Sequence, residues 1–160
     1  MQDFVHLHVH TQYSLLDGQA SVARLVDKAM KNGMKGIAVT DHGNMFGIKE
    51  FTNYVNKKNS GPKGEVKDLK KRIAGIEAGT IECEDKEAEI AACKAKIVEA
   101  ENKLFKPIIG CEMYVARRTM DLKEGKPDQS GYHLIVLAKN ETGYHNLIKL
   151  VSHAWTRGYY

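Results

Sequence analysis

Residues 4–11 read Phe4-Val5-His6-Leu7-His8-Val9-His10-Thr11, so that apolar residues alternate with histidines. An alternation with a period of two predicts a β-strand over residues 4–10, with the aliphatic side chains on one face and the histidines on the other. Residues i and i+2 of a strand lie about 6.5–7 Å apart, so two imidazoles can converge on one ion at roughly 2.0–2.1 Å each. We therefore predict that His8 and His10 bind a metal ion. The deeper His6 is expected to be a hydrogen-bonded core residue, with support of a metal ligand as the alternative role.

The composition predicts one soluble globular domain, or a large part of one. The chain has 160 residues, of which 42% are hydrophobic, and it has no apolar run of membrane-spanning length. The N-terminus lacks the basic and apolar regions of a signal peptide. Cys83, Cys93 and Cys111 are odd in number and fit no CxxC spacing, so we expect reduced thiols in a cytoplasmic protein. Secreted disulfide-rich proteins and membrane proteins are thereby excluded.

The charge of the chain is unevenly distributed. The formal net charge is +4, but residues 65–104 carry eight basic and ten acidic residues, a net charge of −2. The other 120 residues carry sixteen basic and ten acidic residues, a net charge of +6. This excess favours a polyanionic partner such as nucleic acid without establishing one.

Helices and strands are expected to alternate after the first strand. Ser21 is a candidate N-cap for a helix that continues to Met30 and stops at Asn32-Gly33. The apolar run 37–39 is typical of a strand buried on both faces, and it leads into the turn 40–43. Asn44 is the expected N-cap of a second helix, whose inner side is formed by Met45, Ile48, Phe51 or Thr52, and Val55. Short loops between these elements predict a parallel α/β arrangement.

Residues 57–104 differ in character from the rest of the chain. The segment 57–64 is rich in helix-breaking residues and predicts a loop. In residues 65–104 apolar positions recur at intervals of three and four, in two narrow seams that can join two helices to each other. With a reversal at residues 78–80, the pattern predicts a solvent-exposed antiparallel helical hairpin inserted into the α/β domain. We favour an arm without a role in the chemistry over a surface that docks a partner.

The α/β pattern then resumes with two further strands and a helix. Residues 107–115 predict a strand with Glu112 at a buried position, and a buried carboxylate requires a cation. The next strand is opened by His133 and continues over 134–138. Because residues 116–131 show no helical pattern that could form a crossover, this strand is expected to pair antiparallel with the strand 107–115. That pairing brings His133 near Glu112. A last helix is expected from Thr142, with the inner face Tyr144, Leu147, Ile148, Val151 and Trp155.

The predicted topology gathers the ligand-type residues at one rim, because the chemistry of parallel α/β folds lies at the carboxyl ends of the strands. The residues at this rim are His8, His10, Asp17, His42, Glu112 and His133. Four histidines and two carboxylates exceed the needs of one tetrahedral zinc ion and fit two or three ions with bridging carboxylates. Such clusters act on phosphoesters.

Several separated motifs resemble, in order, those of the polymerase and histidinol phosphatase (PHP) domain family. They are His8-Val9-His10-Thr11, Thr40-Asp41-His42-Gly43, Gly110-Cys111-Glu112 and Tyr132-His133-Leu134. The resemblance narrows to the branch found in the alpha subunits of bacterial DNA polymerase III. It rests there on residues 4–11, Tyr13-Ser14-Leu15-Leu16-Asp17-Gly18, Gly143-Tyr144-His145-Asn146-Leu147 and Arg157-Gly158-Tyr159. Only residues 60–105 are not covered.

The resemblance implies a distorted seven-stranded β/α barrel with catalysis through bound metal. Its metal ligands would be His8, His10, Asp17, His42, Glu112 and His133, with two or three divalent ions of zinc, manganese or iron. In the family, the site is completed by a cysteine and an Asp-x-His motif that would both lie beyond Tyr160. Cys111 precedes Glu112 and does not correspond to that cysteine. We therefore expect an incomplete barrel over residues 1–160, a loosely held third ion and turnover near background.

Three functions follow from the resemblance. The first is the accessory domain of a replicative DNA-directed DNA polymerase, with metal-dependent 3′–5′ exonuclease or related phosphoester hydrolysis in the intact domain. Its partners would be DNA, the remaining polymerase domains of the same chain, and a proofreading exonuclease subunit with other replisome subunits. The second is a free-standing phosphatase that acts on a small phosphomonoester such as histidinol phosphate. The third is a non-catalytic scaffold that docks the proofreading subunit.

Other polar residues receive weaker assignments. We expect Asp41 either to orient a ligand histidine or to cap the following turn. Tyr13, Arg117 and Arg118 are candidates for phosphate contact, although such arginines are usually solvated. His145 and His153 fall on a predicted helix without nearby carboxylates and are taken as structural.

Overall fold

The computed structural model describes residues 4–129 and 131–158, and over these ranges the chain forms two compact units. The first unit combines the chain up to Tyr54 with the chain from Lys106, and the second is Val55–Phe105. Tyr159 of the closing polymerase-like segment lies outside the described ranges. Within them, no helix is both long and apolar enough to cross a membrane.

The first unit has a mixed sheet at its centre. Its strands are β1 (Gly36–Val39), β2 (Lys106–Val115) and β3 (Tyr132–Leu137), in the spatial order β1-β2-β3. β1 is fully buried and pairs parallel with β2, as expected for a strand covered on both faces. β2 pairs antiparallel with β3, which confirms the predicted pairing and places Tyr114 opposite His133.

The N-terminal segment 4–10 runs beside β1 but forms no regular strand, so that prediction is wrong. The Ala38 amide donates to the His6 carbonyl and the Thr40 amide to the Val9 carbonyl, both at 2.9 Å. The donors Ala38 and Thr40 are two residues apart, whereas the acceptors His6 and Val9 are three residues apart, and the extra residue breaks the alternation. Leu7 is half exposed and His6 is exposed, so His6 is not the buried residue that the alternation predicted.

Two helices flank β1 in sequence. α1 (Val22–Lys31) begins at the predicted cap, because the Ser21 hydroxyl accepts from the Arg24 amide at 3.4 Å. α2 (Ile48–Lys58) begins four residues after Asn44, so the expected cap is wrong. The Asn44 side chain instead closes the preceding turn by donating to the Tyr13 and His42 carbonyls.

The last helix of the first unit is α5 (Glu141–Thr156), capped by the Asn140 side chain, which accepts from the Gly143 amide. Leu147 is buried with Cys111 and Met113 of β2. The predicted inner face is only partly correct, since Ile148 and Trp155 are 36% and 53% exposed. The Trp155 indole donates instead to the Gly43 carbonyl at 2.7 Å.

The second unit consists mainly of α3 (Ser60–Glu77) and α4 (Lys86–Asn102). The expected loop 57–64 is wrong, because only Asn59 lies between α2 and α3. Pro62 falls in the first turn of α3, where its missing amide hydrogen costs little. Gly79, with a φ of 72°, lies in the predicted reversal. Ile76, Cys93 and Ala100, which belong to the predicted seams, are buried.

Candidate metal centre

The structure brings the six predicted site residues together in the first unit. His8 and His10 come from the N-terminal segment, Asp17 from the loop after it, and His42 from the turn after β1, while Glu112 and His133 lie on β2 and β3. Three overlapping groups have candidate ligand atoms within 4.8 Å of one another. They are His8, His10 and Glu112; His10, Asp17 and His42; and His42, Glu112 and His133.

Glu112 lies at the centre of this cluster. One carboxylate oxygen, Oε2, is 2.7 Å from His8 Nε2 and 2.6 Å from His10 Nε2. The other, Oε1, is 2.5 Å from His133 Nδ1. The backbone of Glu112 is fixed from both sides, since the Gly43 amide donates to the Glu112 carbonyl at 2.9 Å and β3 pairs along its other edge. The predicted proximity of Glu112 and His133 is confirmed.

The first group could hold a metal ion. His8 Nε2 and His10 Nε2 are 3.0 Å apart, and both lie within 2.7 Å of the same carboxylate oxygen. Three atoms this close can all lie at about 2.0–2.2 Å from a single point, the usual bond length for zinc to nitrogen and oxygen. Imidazole and carboxylate ligands suit zinc, iron and manganese. The residues present therefore fit the divalent ions that the sequence predicted.

Asp17 joins two of the histidines at the outer side of the cluster. Its Oδ2 is 2.7 Å from His42 Nε2 and 3.1 Å from His10 Nδ1. The side chain of Asp17 is about half exposed, whereas that of Glu112 is 5% exposed. The two carboxylates thus differ in environment, and the group around Asp17 is the more open to solvent.

The histidines control the ionisation of both carboxylates. Burial raises the pKa of Glu112, but hydrogen bonds from His8, His10 and His133 lower it by more, to about 2. Desolvation likewise raises the pKa of Asp17, and the contacts with His42 and His10 outweigh it, so the net shift is downward. Both carboxylates are therefore ionised at neutral pH, as metal ligands must be.

The sequence left two roles open for Asp41, which could orient a ligand histidine or cap the following turn. It is 1% exposed, and its Oδ1 accepts from the Thr11 amide at 2.6 Å and from the Ser14 hydroxyl at 2.9 Å. Its Oδ2 accepts from the Thr11 hydroxyl at 2.8 Å. Ser14 Oγ also accepts from the His42 amide at 3.1 Å. Asp41 therefore fixes the loop that carries Asp17 through its hydrogen bonds to Thr11 and Ser14.

Tyr114 also lies at this cluster, although it was not among the residues predicted from the sequence. Its ring stacks on that of His42 and meets the ring of His133 edge-on. The available signal was its spacing, because Tyr114 follows Glu112 by two residues on β2 and so shares its face.

The other candidates are engaged elsewhere. The Tyr13 hydroxyl donates to Glu50 at 2.8 Å, and this contact raises the pKa of Tyr13. Arg118 pairs with Asp128 at 2.7 Å and with Glu124 at 2.8 Å, while Arg117 lies over the ring of Tyr132. His145 and His153 lie on α5, outside the cluster. His145 does have a carboxylate nearby, 3.8 Å away on Glu141, contrary to the sequence-based expectation.

Comparison with known proteins identifies relatives and a domain family for this chain. The DNA polymerase III subunit alpha of Borreliella burgdorferi is 40% identical in an alignment of 160 positions, which covers 98% of this chain and 10% of that protein. The proteins of the same name from Treponema pallidum and Aquifex aeolicus are 40% and 32% identical, over 98% and 99% of this chain and 10% of each relative. The chain thus spans about a tenth of the length of these curated relatives. The PHP domain matches residues 6–160, and the chain therefore belongs to the PHP domain family.

Proposed function

We propose that this chain is the N-terminal part of the PHP domain of a replicative DNA polymerase, a DNA polymerase III alpha subunit, and that its cluster is a metal centre for phosphoester hydrolysis. The observation that carries this proposal is the contact of three imidazoles with the one carboxylate of Glu112. The relatives named as this subunit support the polymerase context.

The proposed ligands are the six residues of the cluster, which would hold two or three ions of zinc, manganese or iron: His8, His10, Asp17, His42, Glu112 and His133. A neutral imidazole offers one lone pair, so each histidine binds one ion through one nitrogen. His10 Nε2 faces His8 and Glu112, which leaves its Nδ1 to donate to Asp17. We expect tighter sites around Glu112 and a weaker one at Asp17 and His42.

The chemistry of such a centre is the hydrolysis of a phosphate ester. Divalent ions, when bound, polarise the phosphate and lower the pKa of water. The oxygen of water forms a new bond to phosphorus, the bond from phosphorus to the ester oxygen breaks, and a proton from the water passes to the leaving oxygen. The chain's own part is to hold the donors in place before substrate arrives, which the backbone contacts of Glu112 and the Asp41 contacts do.

DNA is the proposed substrate, with cleavage from a 3′ end. The names of the relatives and the net charge of +6 outside residues 65–104 support this choice. The proposed partners are the remaining domains of a longer chain and a proofreading subunit, and a cytoplasmic location goes with DNA replication in bacteria.

We further propose that the fold is a distorted β/α barrel of which this chain is one part, with the helices of the second unit as an insertion. Two observations support the insertion. The Asn59 side chain donates to the Phe105 carbonyl at 2.8 Å and accepts from the Phe105 amide at 2.9 Å, so the two ends of the segment meet. Arg72 of α3 pairs with Glu89 of α4, and Lys70 with Glu101, an order typical of an antiparallel helix pair.

The test uses the full-length protein. We expect at least one zinc, manganese or iron ion per chain by elemental analysis, and a lower content in His8→Ala and Glu112→Ala. His145→Ala, an exposed histidine outside the cluster, is the matched control. Full metal content in both cluster variants would contradict the ligand assignment.

The substrate is tested with single-stranded DNA and with histidinol phosphate, and with His10→Ala as the inactive control. Hydrolysis of DNA that is lost in His10→Ala supports the proposal. Hydrolysis of histidinol phosphate alone would favour the small-molecule phosphatase. Metal binding without hydrolysis of either would favour the scaffold.

A further inference from the structure

Tyr114 lies on the same face of the sheet as the metal centre. It follows Glu112 by two residues on β2, and it lies directly opposite His133 in the antiparallel pairing with β3. Residues in these relations point to one face of a sheet. The side chain of Tyr114 therefore shares the surface on which the proposed ligands converge.

Two of the proposed ligands hold the Tyr114 ring in position. The ring stacks on His42, with centroids 5.9 Å apart and an interplanar angle of 14°. It meets His133 edge-on, with centroids 4.9 Å apart and an angle of 88°. Gly43 leaves room for the ring, because a Cβ at this position would lie 3.1 Å from Tyr114 Cε2. The residue is nevertheless 53% exposed, so it is supported from beneath and open on its outer side.

The hydroxyl of Tyr114 lies at the edge of the ligand cluster. Its oxygen is 3.4 Å from His42 Nδ1. If His42 binds an ion through Nε2, its Nδ1 carries the hydrogen and donates to the phenol oxygen, which leaves the phenol hydrogen for another acceptor. If His42 binds through Nδ1, the phenol lies beside the ligating atom. In both arrangements the hydroxyl can donate to a group held at the centre.

We propose that the Tyr114 hydroxyl donates a hydrogen bond to a phosphate oxygen of the ester bound at the metal centre. This inference rests on the proposed function and adds a residue that touches the substrate. Phosphate oxygens are anionic acceptors, and hydrogen bonds to charged groups are stronger than those between neutral groups. The assignment holds for a diester and a monoester alike, because both present such oxygens.

The other candidates for phosphate contact are already engaged in hydrogen bonds. The Tyr13 hydroxyl is bound to Glu50, and the Arg118 guanidinium is bound to Asp128 and Glu124. These groups would have to break existing contacts before they could reach a phosphate. Tyr114 already faces the cluster, and its ring needs no rearrangement.

The test compares Tyr114→Phe with the wild type in the metal-loaded full-length protein. The readouts are metal content by elemental analysis and the affinity for inorganic phosphate by titration calorimetry. Tyr114→Phe keeps the ring and removes only the hydroxyl, so we expect unchanged metal content and phosphate binding weaker by about ten-fold or more. Tyr132→Phe is the matched control, because Tyr132 is exposed on the opposite face of the same strand pair, and it should leave both readouts unchanged.

Each other result overturns the inference in a different way. Equal phosphate affinity in Tyr114→Phe with full metal content would show that the hydroxyl does not contact phosphate. Loss of metal from Tyr114→Phe, to the level of His42→Ala, would show that it acts on His42 instead. A wild type that binds metal but no phosphate would refute the inference and leave the metal centre standing, whereas a wild type without metal would refute both.

Discussion

Replacement of Asp41 by alanine is expected to destabilise the protein through the loop that carries Asp17. The Asp41 carboxylate accepts three hydrogen bonds, from the amide and hydroxyl of Thr11 and from the hydroxyl of Ser14. Thr11 and Ser14 are 0% and 2% exposed, so water cannot replace the lost acceptor without a rearrangement of the loop. The same Ser14 hydroxyl accepts from the His42 amide, which links the loop to a second proposed ligand.

The magnitude follows from the three donors. A buried donor left without an acceptor costs about 1–3 kcal/mol, and the Thr11 amide cannot turn to another partner. The two hydroxyls can rotate, so we assign each a cost of about 1 kcal/mol. The sum is a loss of about 3–5 kcal/mol, against a total stability of about 5–15 kcal/mol for a typical domain. Asp41→Asn keeps the shape and one acceptor oxygen, and about 1–2 kcal/mol is expected.

Urea unfolding at neutral pH, followed by circular dichroism, measures these differences. Asp121→Ala is the matched control, because the Asp121 side chain is 75% exposed and its pairing with Arg157 is at the surface. The control should change the free energy of unfolding by less than about 0.5 kcal/mol. A loss below about 1 kcal/mol for Asp41→Ala would refute the argument that this carboxylate organises the loop.

Two further predictions follow from the site and the second unit. In the metal-free protein the pKa of Glu112 is about 2 against an ordinary value of 4.5, which corresponds to stability on the order of 3 kcal/mol. Because this pKa is depressed, the contribution is complete above about pH 4.5 and is lost as the pH falls toward 2. Unfolding free energies across this range should fall more steeply for the wild type than for Glu112→Gln, and equal slopes would contradict the prediction. Replacement of residues 60–104 by a short glycine linker between Asn59 and Phe105 should leave a folded protein with full metal content, because the two ends already meet. An insoluble or metal-free product would show that the helices cover core surface.

The sequence predicted those parts of the fold that depend on local patterns. The apolar run before His42 identified a strand buried on both faces, and Ser21 identified the start of α1. The absence of a helical pattern over 116–131 led to the antiparallel pairing, and this pairing led to the contact of Glu112 with His133. That step succeeded because a parallel pair needs a crossover connection, usually a helix, and residues 116–131 show no helical pattern.

The errors arose where side chains from distant residues decide the backbone. Residues 4–10 alternate like a strand, but the Thr40 hydroxyl accepts from the Val9 amide and takes the place of a ladder hydrogen bond. The register then shifts by one residue, and Leu7 becomes exposed. In the sequence, Pro62 predicts a helix break, because no neighbouring residue indicates that it lies in the first turn of α3. Tyr114 was missed because its neighbours in space, His42 and His133, are distant in sequence.

The position of Glu112 on the central strand explains why segments so distant in sequence meet at one point. β2 lies between β1 and β3, so the turn after β1 reaches the Glu112 backbone from one side and β3 pairs with it from the other. The Glu112 amide donates to the Asp41 carbonyl at 3.1 Å, and its carbonyl accepts from the Gly43 amide, so the backbone is fixed without any ion. Its carboxylate lies against the imidazole nitrogens of His8, His10 and His133, so one buried side chain joins the N-terminal segment to β3.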